Sequence, residues 1–236
     1  MTSTSAPQST GRPECPEPPA ARTFPVHHHP TSSAPAPQLR LETLLVRSGT
    51  GTDPATGAIT TPIHLSTAYG HPGLGESTGY DYTRTASPTR DVLQDALARL
   101  EGGTAAFALS SGMAALELVT RTLAPHGSRI VALRDLYGGS FRFLEVLAEE
   151  GAADVDFVLG IKGLREALTA PADLVIIETP TNPMMEEIPI PEAAELARAA
   201  GARLVVDNTF YTPAVQRPLE LGADVVVHSG TKYLGG

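Results

Sequence analysis

Cysteine is almost absent from this 236-residue chain. The only one, Cys15, leaves neither a disulfide framework nor a thiolate metal site. Lysine is nearly as scarce: of 17 basic residues only Lys162 and Lys232 are lysines, and 26 acidic residues bring the formal charge to −9. That balance argues against nucleic acid or an anionic membrane surface as the main partner. No apolar run approaches the roughly 20 residues needed to cross a bilayer, and no secretory apolar segment follows Met1. The expected location is a reducing cytoplasm. Paired histidine spacing is missing as well, since His64, His126 and His228 stand apart, which removes a metal-hydrolase ligand set. The adjacent His27–His29 trio reads as tail composition, with weak metal binding as its alternative. Neither lysine sits in a phosphate-loop pattern, and no internal repeat is visible.

What is present divides into three stretches. Residues 1–38 hold nine of the 21 prolines with Ser, Thr and Ala and almost no large apolar residues. Such a segment cannot bury enough surface to offset its ordering entropy, so it is expected to be disordered. Residues 39–88 begin with a short helix, where Leu41, Leu44 and Leu45 fall at helical spacing. They continue as a Gly, Thr and Pro-rich arm without periodicity, and an arm of that kind usually leans on another surface, often a second subunit. From residue 89 to 236 the pattern becomes regular. Helices are expected over 89–101, from Met113 to about Leu123, and over 140–150, 164–169 and 191–200. Short apolar strands are expected over 104–109, 129–133, 155–159, 174–178, 204–207 and 223–228. Strand and helix alternate with brief linkers, which predicts an α/β domain: a mostly parallel sheet flanked by helices, with right-handed crossovers.

In such a sheet ligands bind beyond the carboxyl ends of the strands, and there this sequence concentrates its chemistry. Ser110–Ser111–Gly112–Met113 lies between a strand and a helix start, where free N–H groups and the helix dipole favour an anion such as a phosphate; a plain serine helix cap is the alternative. Ser229 and Thr231 add hydroxyls that could join the same anion or satisfy local backbone groups. Asp207 ends an apolar strand, so its carboxylate should be largely removed from water; it either pairs with a ligand cation or caps the following turn. Tyr137, followed by two glycines, could lie flat on an aromatic ligand or serve the turn, and Asn182 offers a directed amide or a turn residue. Lys232 follows the apolar run Val225–Val227. Burial there would lower its pKa and make it an amine nucleophile or Schiff-base lysine, against a snorkelling role at a strand end. An amine, a carboxylate, an anion cradle, an aromatic face and an amide together are what pyridoxal phosphate requires.

The motifs Tyr82–Thr83–Arg84, Ser111–Gly112–Met113, Tyr137–Gly138–Gly139, Glu178 to Pro183, Asp207 to Phe210 and Ser229 to Gly236 occur in an order that resembles the Cys/Met-metabolism enzymes that use pyridoxal 5′-phosphate. The resemblance runs from about Leu41 onward. It implies the large domain of the aspartate-aminotransferase-like, fold-type I enzymes, acting on a small amino-acid substrate. By it, Lys232 would carry the cofactor and shuttle protons, Asp207 would hold the pyridine nitrogen protonated, and Tyr137 would stack on the ring and assist proton transfer. Gly112 and Met113 would give N–H groups to the phosphate with Ser229 and Thr231, and Asn182 would lie by the ring's 3′ oxygen. Tyr82 and Arg84 would reach the phosphate of a neighbouring subunit in a homodimer or homotetramer. Ser87 stands where the family has Asn before Pro-Thr, so the local turn there is expected to differ.

Within the family, Ser77 to Tyr82 and Phe210 to Leu221 are most similar to cystathionine γ-synthase and O-acetylhomoserine thiolyase members. Those members replace the γ-acyloxy group of an O-acylhomoserine by a thiol, and a cystathionine lyase or methionine γ-lyase is the alternative. Family members continue beyond the lysine into a further sheet strand and a C-terminal domain. The chain is therefore expected to be a truncated form with exposed apolar surface, and an inactive fragment is the second alternative.

Overall fold

The computed structural model describes residues 39–51, 53 and 55–235. The tail over 1–38, with Cys15 and His27–His29, lies outside the described residues. From residue 37 onward the chain forms one compact unit. Helices α1 (Leu41–Arg47), α2 (Pro88–Glu101) and α3 (Gly112–Leu123) precede the regular alternation. It runs β1 (Ser128–Leu133), α4 (Gly138–Glu149), β2 (Ala153–Val158), α5 (Gly160–Ala167), β3 (Leu174–Glu178), α6 (Ile190–Ala199), β4 (Arg203–Asp207), α7 (Thr212–Val215) and β5 (Val225–Val227).

All five strands pair in parallel, in the order β2-β1-β3-β4-β5. The α/β expectation is met, and the sequence explains it strand by strand. β3 is apolar from Leu174 to Ile177 and buried throughout, as a central parallel strand covered on both faces must be. The first crossover runs from β1 outward to β2 and the later ones run the opposite way. Right-handed connections therefore set α4 on one face and α5 and α6 on the other. The packing agrees, since α3 contacts α4 while α5 contacts α6. Helix α6 carries Pro191 in its first turn and buries Ala193, Ala194 and Ala197, whose small side chains let the helix approach β4 closely. Reversal of the strand order leaves the loops after β1 and β3 diverging to opposite faces, and the crevice between them is where such sheets bind ligands.

Two expectations need correction. Residues 104–109 form no strand. They have no ladder partner among the described residues, the Ala108 N–H instead donates to Gln94 Oε1 at 2.9 Å, and Phe107 is 75 % exposed. An apolar run of strand length becomes a strand only where another backbone edge meets it. Helix α7 was not anticipated, because its four residues are too few to show a period. The arm is irregular as expected, with isolated antiparallel bridges Thr50–Thr60 and Ala68–Tyr82 and no helix or strand among the described residues between α1 and α2. No helix among the described residues is long and apolar enough to cross a membrane.

A buried polar cluster ties α2 to the ends of β4 and β5. Glu101, the last residue of α2, accepts from or donates to His228 Nε2 at 2.5 Å and accepts the Asn208 amide at 3.3 Å. Asn208 also donates to Gln216 O at 2.8 Å, and Gln216 Nε2 donates to Thr179 O at 3.1 Å. Removing one member of a buried pair strands the other. Glu101→Ala is therefore expected to lower unfolding free energy by about 3–5 kcal/mol in a denaturant titration. Glu166→Ala, which removes only the exposed Lys162–Glu166 pair, is expected to shift the midpoint little.

Candidate functional site

The ends of β3, β4 and β5, together with the start of α3 and the loop after β1, enclose a cleft of about 210 Å³. Eight of the expected residues line it: Gly112, Met113, Tyr137, Asn182, Asp207, Ser229, Thr231 and Lys232. They come from five separate segments, and each is delivered by the element before it. β4 delivers Asp207, β5 delivers the turn with Ser229 to Lys232, and the loop after β3 delivers Asn182.

Ser111 is the N-cap of α3, and its Oγ accepts the Ala114 N–H at 3.1 Å. The cap therefore exists, and it leaves the Gly112 and Met113 N–H groups without a hydrogen-bond acceptor among the described residues. A Cβ at Gly112 would lie 2.9 Å from Ser229 Cβ, so only glycine lets the start of α3 meet the turn after β5. Gly139 does the same for the aromatic wall, since a Cβ there would lie 2.5 Å from Tyr137 Cε1 and 3.0 Å from Met113 Sδ. Tyr137 itself is 46 % exposed.

Asp207 is held from one side. Its Oδ1 accepts the Thr209 N–H at 3.0 Å and the Thr209 hydroxyl at 2.5 Å. Thr209 Oγ1 in turn accepts the Ser229 N–H at 2.9 Å, which links the end of β5 to the carboxylate. The turn-cap reading of Asp207 is realised, and the residue also lines the cleft. Burial pushes its carboxyl above the usual carboxylate range, against the two Thr209 hydrogen bonds and the nearby His228. Its side chain has no hydrogen bond other than those from Thr209 among the described residues.

The burial expected for Lys232 is not found. The residue is exposed, in a turn beyond β5 closed by its own N–H donating to Ser229 O at 3.2 Å. A strand's burial does not extend along the turn that leaves it. Tyr82 and Arg84 do not line the cleft. They lie on the exposed arm, with the Arg84 guanidinium 5.2 Å from the Tyr82 ring and donating to its hydroxyl at 3.2 Å.

Six further residues line the cleft, and two of them, Thr209 and Glu178, bear on its chemistry without being among the expected site residues. For Thr209 the signal in the sequence is its turn position after a strand-end acid. Glu178 is 5 % exposed, its Oε2 accepts the Tyr137 N–H at 2.5 Å, and burial raises its pKa to about 8. The signal was a carboxylate directly after four apolar residues. Among the described residues no group of three or more His, Cys, Asp or Glu side chains is placed to hold a metal ion.

Comparison with known proteins is specific. Residues 42–236 match the family model for Cys/Met metabolism PLP-dependent enzymes. The cystathionine γ-synthase/O-acetylhomoserine (thiol)-lyase of Bacillus subtilis is 46 % identical over 204 residues, covering 83 % of this chain and 53 % of the relative. A cystathionine β-lyase of Lactococcus lactis subsp. cremoris is 41 % identical over 198 residues, with 83 % and 52 % covered. Among solved structures, cystathionine γ-synthase from Xanthomonas oryzae pv. oryzae, in complex with aminoacrylate and cysteine, superposes with a TM-score of 0.80 at 42 % identity, covering 84 % of this chain and 52 % of that one. The chain spans about half the length of the curated relatives it matches. On the family match and these identities, the chain belongs to the Cys/Met metabolism PLP-dependent enzyme family.

Proposed function

We propose that this chain forms the cofactor-binding part of an enzyme that replaces the γ-acyloxy group of an O-acylhomoserine with a thiol. The observation that carries the cofactor reading is the meeting of Lys232, Asp207 and the α3 N-terminus in one cleft. The residues fit the group. Unengaged N–H groups at Gly112 and Met113, with the hydroxyls of Ser229 and Thr231 beside them, make a cradle for a phosphate where a side chain at residue 112 would not fit. A buried carboxylate at Asp207 without an ion-pair partner suits a protonated ring nitrogen, whose charge offsets the cost of burial. An exposed amine at Lys232 is free to bond an aldehyde.

Pyridoxal phosphate bound there supplies an electron sink for loss of a proton α to the amino group. The protein's own residues do the rest. Asp207 keeps the proton on the ring nitrogen, and Thr209 keeps Asp207 aimed by two hydrogen bonds. Lys232 Nζ would move protons at the reacting carbons, Tyr137 would cover the ring face, and Asn182 would hold the ring at its 3′ oxygen, all three lining the one cleft. Tyr82 and Arg84, on the exposed arm, serve the phosphate of a second copy of the chain.

The choice of γ-replacement over lysis rests on the higher identity to the Bacillus relative, 46 % against 41 % for the Lactococcus lyase. The motifs Ser77 to Tyr82 and Phe210 to Leu221 support the same choice. The lyases among the relatives, at 40–41 % identity, support the alternative of lysis.

Two experiments test this. Purified protein incubated with pyridoxal phosphate and then reduced with borohydride is expected to carry the cofactor mass on the peptide containing Lys232. Lys232→Ala should lose that label and any turnover by on the order of 10²–10⁴-fold, the scale of a positioned acid–base group; labelling elsewhere would refute the assignment. Separately, O-acylhomoserine with cysteine is expected to yield cystathionine. Oxo acid and ammonia released from cystathionine, without thiol incorporation, would make the lyase reading the correct one.

A further inference from the structure

The loops after β1 and β3 diverge at the point where the strand order reverses, and one side chain ties them together. Glu178 ends β3, and its Oε2 accepts the N–H of Tyr137 across that crevice at 2.5 Å. Tyr137 is the N-cap residue of α4, and its own side chain makes no capping bond. The main-chain N–H of Asn182 favours the ionised form of the same carboxyl, as does that of Tyr137. Glu178 therefore holds, from the end of β3, the backbone that leaves β1 across the crevice. Its neighbour in register is Asp207, so the two carboxyls stand side by side on adjacent strands.

We propose that Glu178 is a positioning residue for the cofactor ring: its carboxyl fixes the main chain of Tyr137, so that the ring's stacking face is set before the cofactor arrives. The inference rests on the cofactor reading given above and adds to it a residue that acts through another.

The electrostatics support the geometry. Glu178 faces Asp207 from β4 and Asp135 from the loop after β1, and Lys232 lines the same cleft. Burial first, and then the Asp207 and Asp135 charges, raise its pKa to about 8, against the Tyr137 and Asn182 N–H groups. At neutral pH Glu178 is thus mostly protonated and uses a neutral oxygen to accept the Tyr137 N–H.

The test compares wild type, Glu178→Gln and Glu178→Ala in the full chain. Glutamine keeps an acceptor oxygen and loses the titration; alanine loses both. In cofactor-free protein, hydrogen exchange at the Tyr137 amide is expected to stay slow in wild type and Glu178→Gln and to become fast in Glu178→Ala. Cofactor affinity should follow the same order, with Glu178→Ala weaker by on the order of tenfold and Glu178→Gln close to wild type.

The pH dependence gives a third readout. Glu178 ionises near its ordinary value of 4.5 when unfolded and near about 8 when folded. Its contribution to stability is therefore full below the lower value and is lost as pH rises through the upper one. The melting temperature of wild type relative to Glu178→Gln should fall across that window. Unchanged Tyr137 exchange in Glu178→Ala, or affinity lost equally in the Gln and Ala variants, would overturn the positioning role. Failure of wild type itself to bind pyridoxal phosphate would instead overturn the cofactor reading.

Discussion

The register of three parallel strands is the constraint on which the site depends. Glu178 pairs with Asp207 and Asp207 pairs with Val227, so three strand ends stop at one level. A slip of one residue in any of them would turn its terminal side chain to the opposite face of the sheet. The apolar content of β3 and β4, buried on both faces, opposes such a slip, because it would move a carboxylate into the core. Hydrogen bonds beyond the ladder hold the same level. The Asn208 N–H donates to Val227 O at 3.0 Å and the Thr179 N–H to Asp207 O at 3.3 Å.

Behind that level lies a second layer of polar contacts. Successive residues leaving a strand point to opposite sides, so Asp207 and Ser229 face the cleft while Asn208 and His228 join Glu101 behind it. The cleft side carries strain of an electrostatic kind. Two carboxyls are held side by side with burial raising both, and no basic side chain forms an ion pair with either among the described residues. Local rules are broken where a ligand is to supply what is missing, and the surrounding apolar sheet and the polar layer behind it offset the cost.

Legibility in the sequence followed the physics of each signal. β3 was readable to the residue, because a run from Leu174 to Ile177 ending in Glu178 has a sharp boundary in hydrophobicity. The short helix over 164–169 was placed four residues late, since α5 begins on a glycine that gives no helical signal. Residues 104–109 have the composition of a strand yet form none, because pairing is a property of two segments. Most expected cleft residues were visible as polar breaks after apolar runs. Glu178 itself was visible in the same way, but nothing local distinguishes a strand-end acid that grips a distant main-chain N–H from one that faces water.

By itself the sequence determined the parallel α/β architecture, the family, and which strand ends carry chemistry, because periodicity and the order of short motifs are local properties of the chain. Tertiary structure alone decided how those ends relate. It showed that Lys232 stands exposed beyond its strand, and that Thr209 joins Ser229 to Asp207. It also brought Glu178, 41 residues along the chain from Tyr137, within hydrogen-bond reach of it. These are distances between segments remote in sequence, set by the crossovers and the ladder register, and no local pattern encodes them.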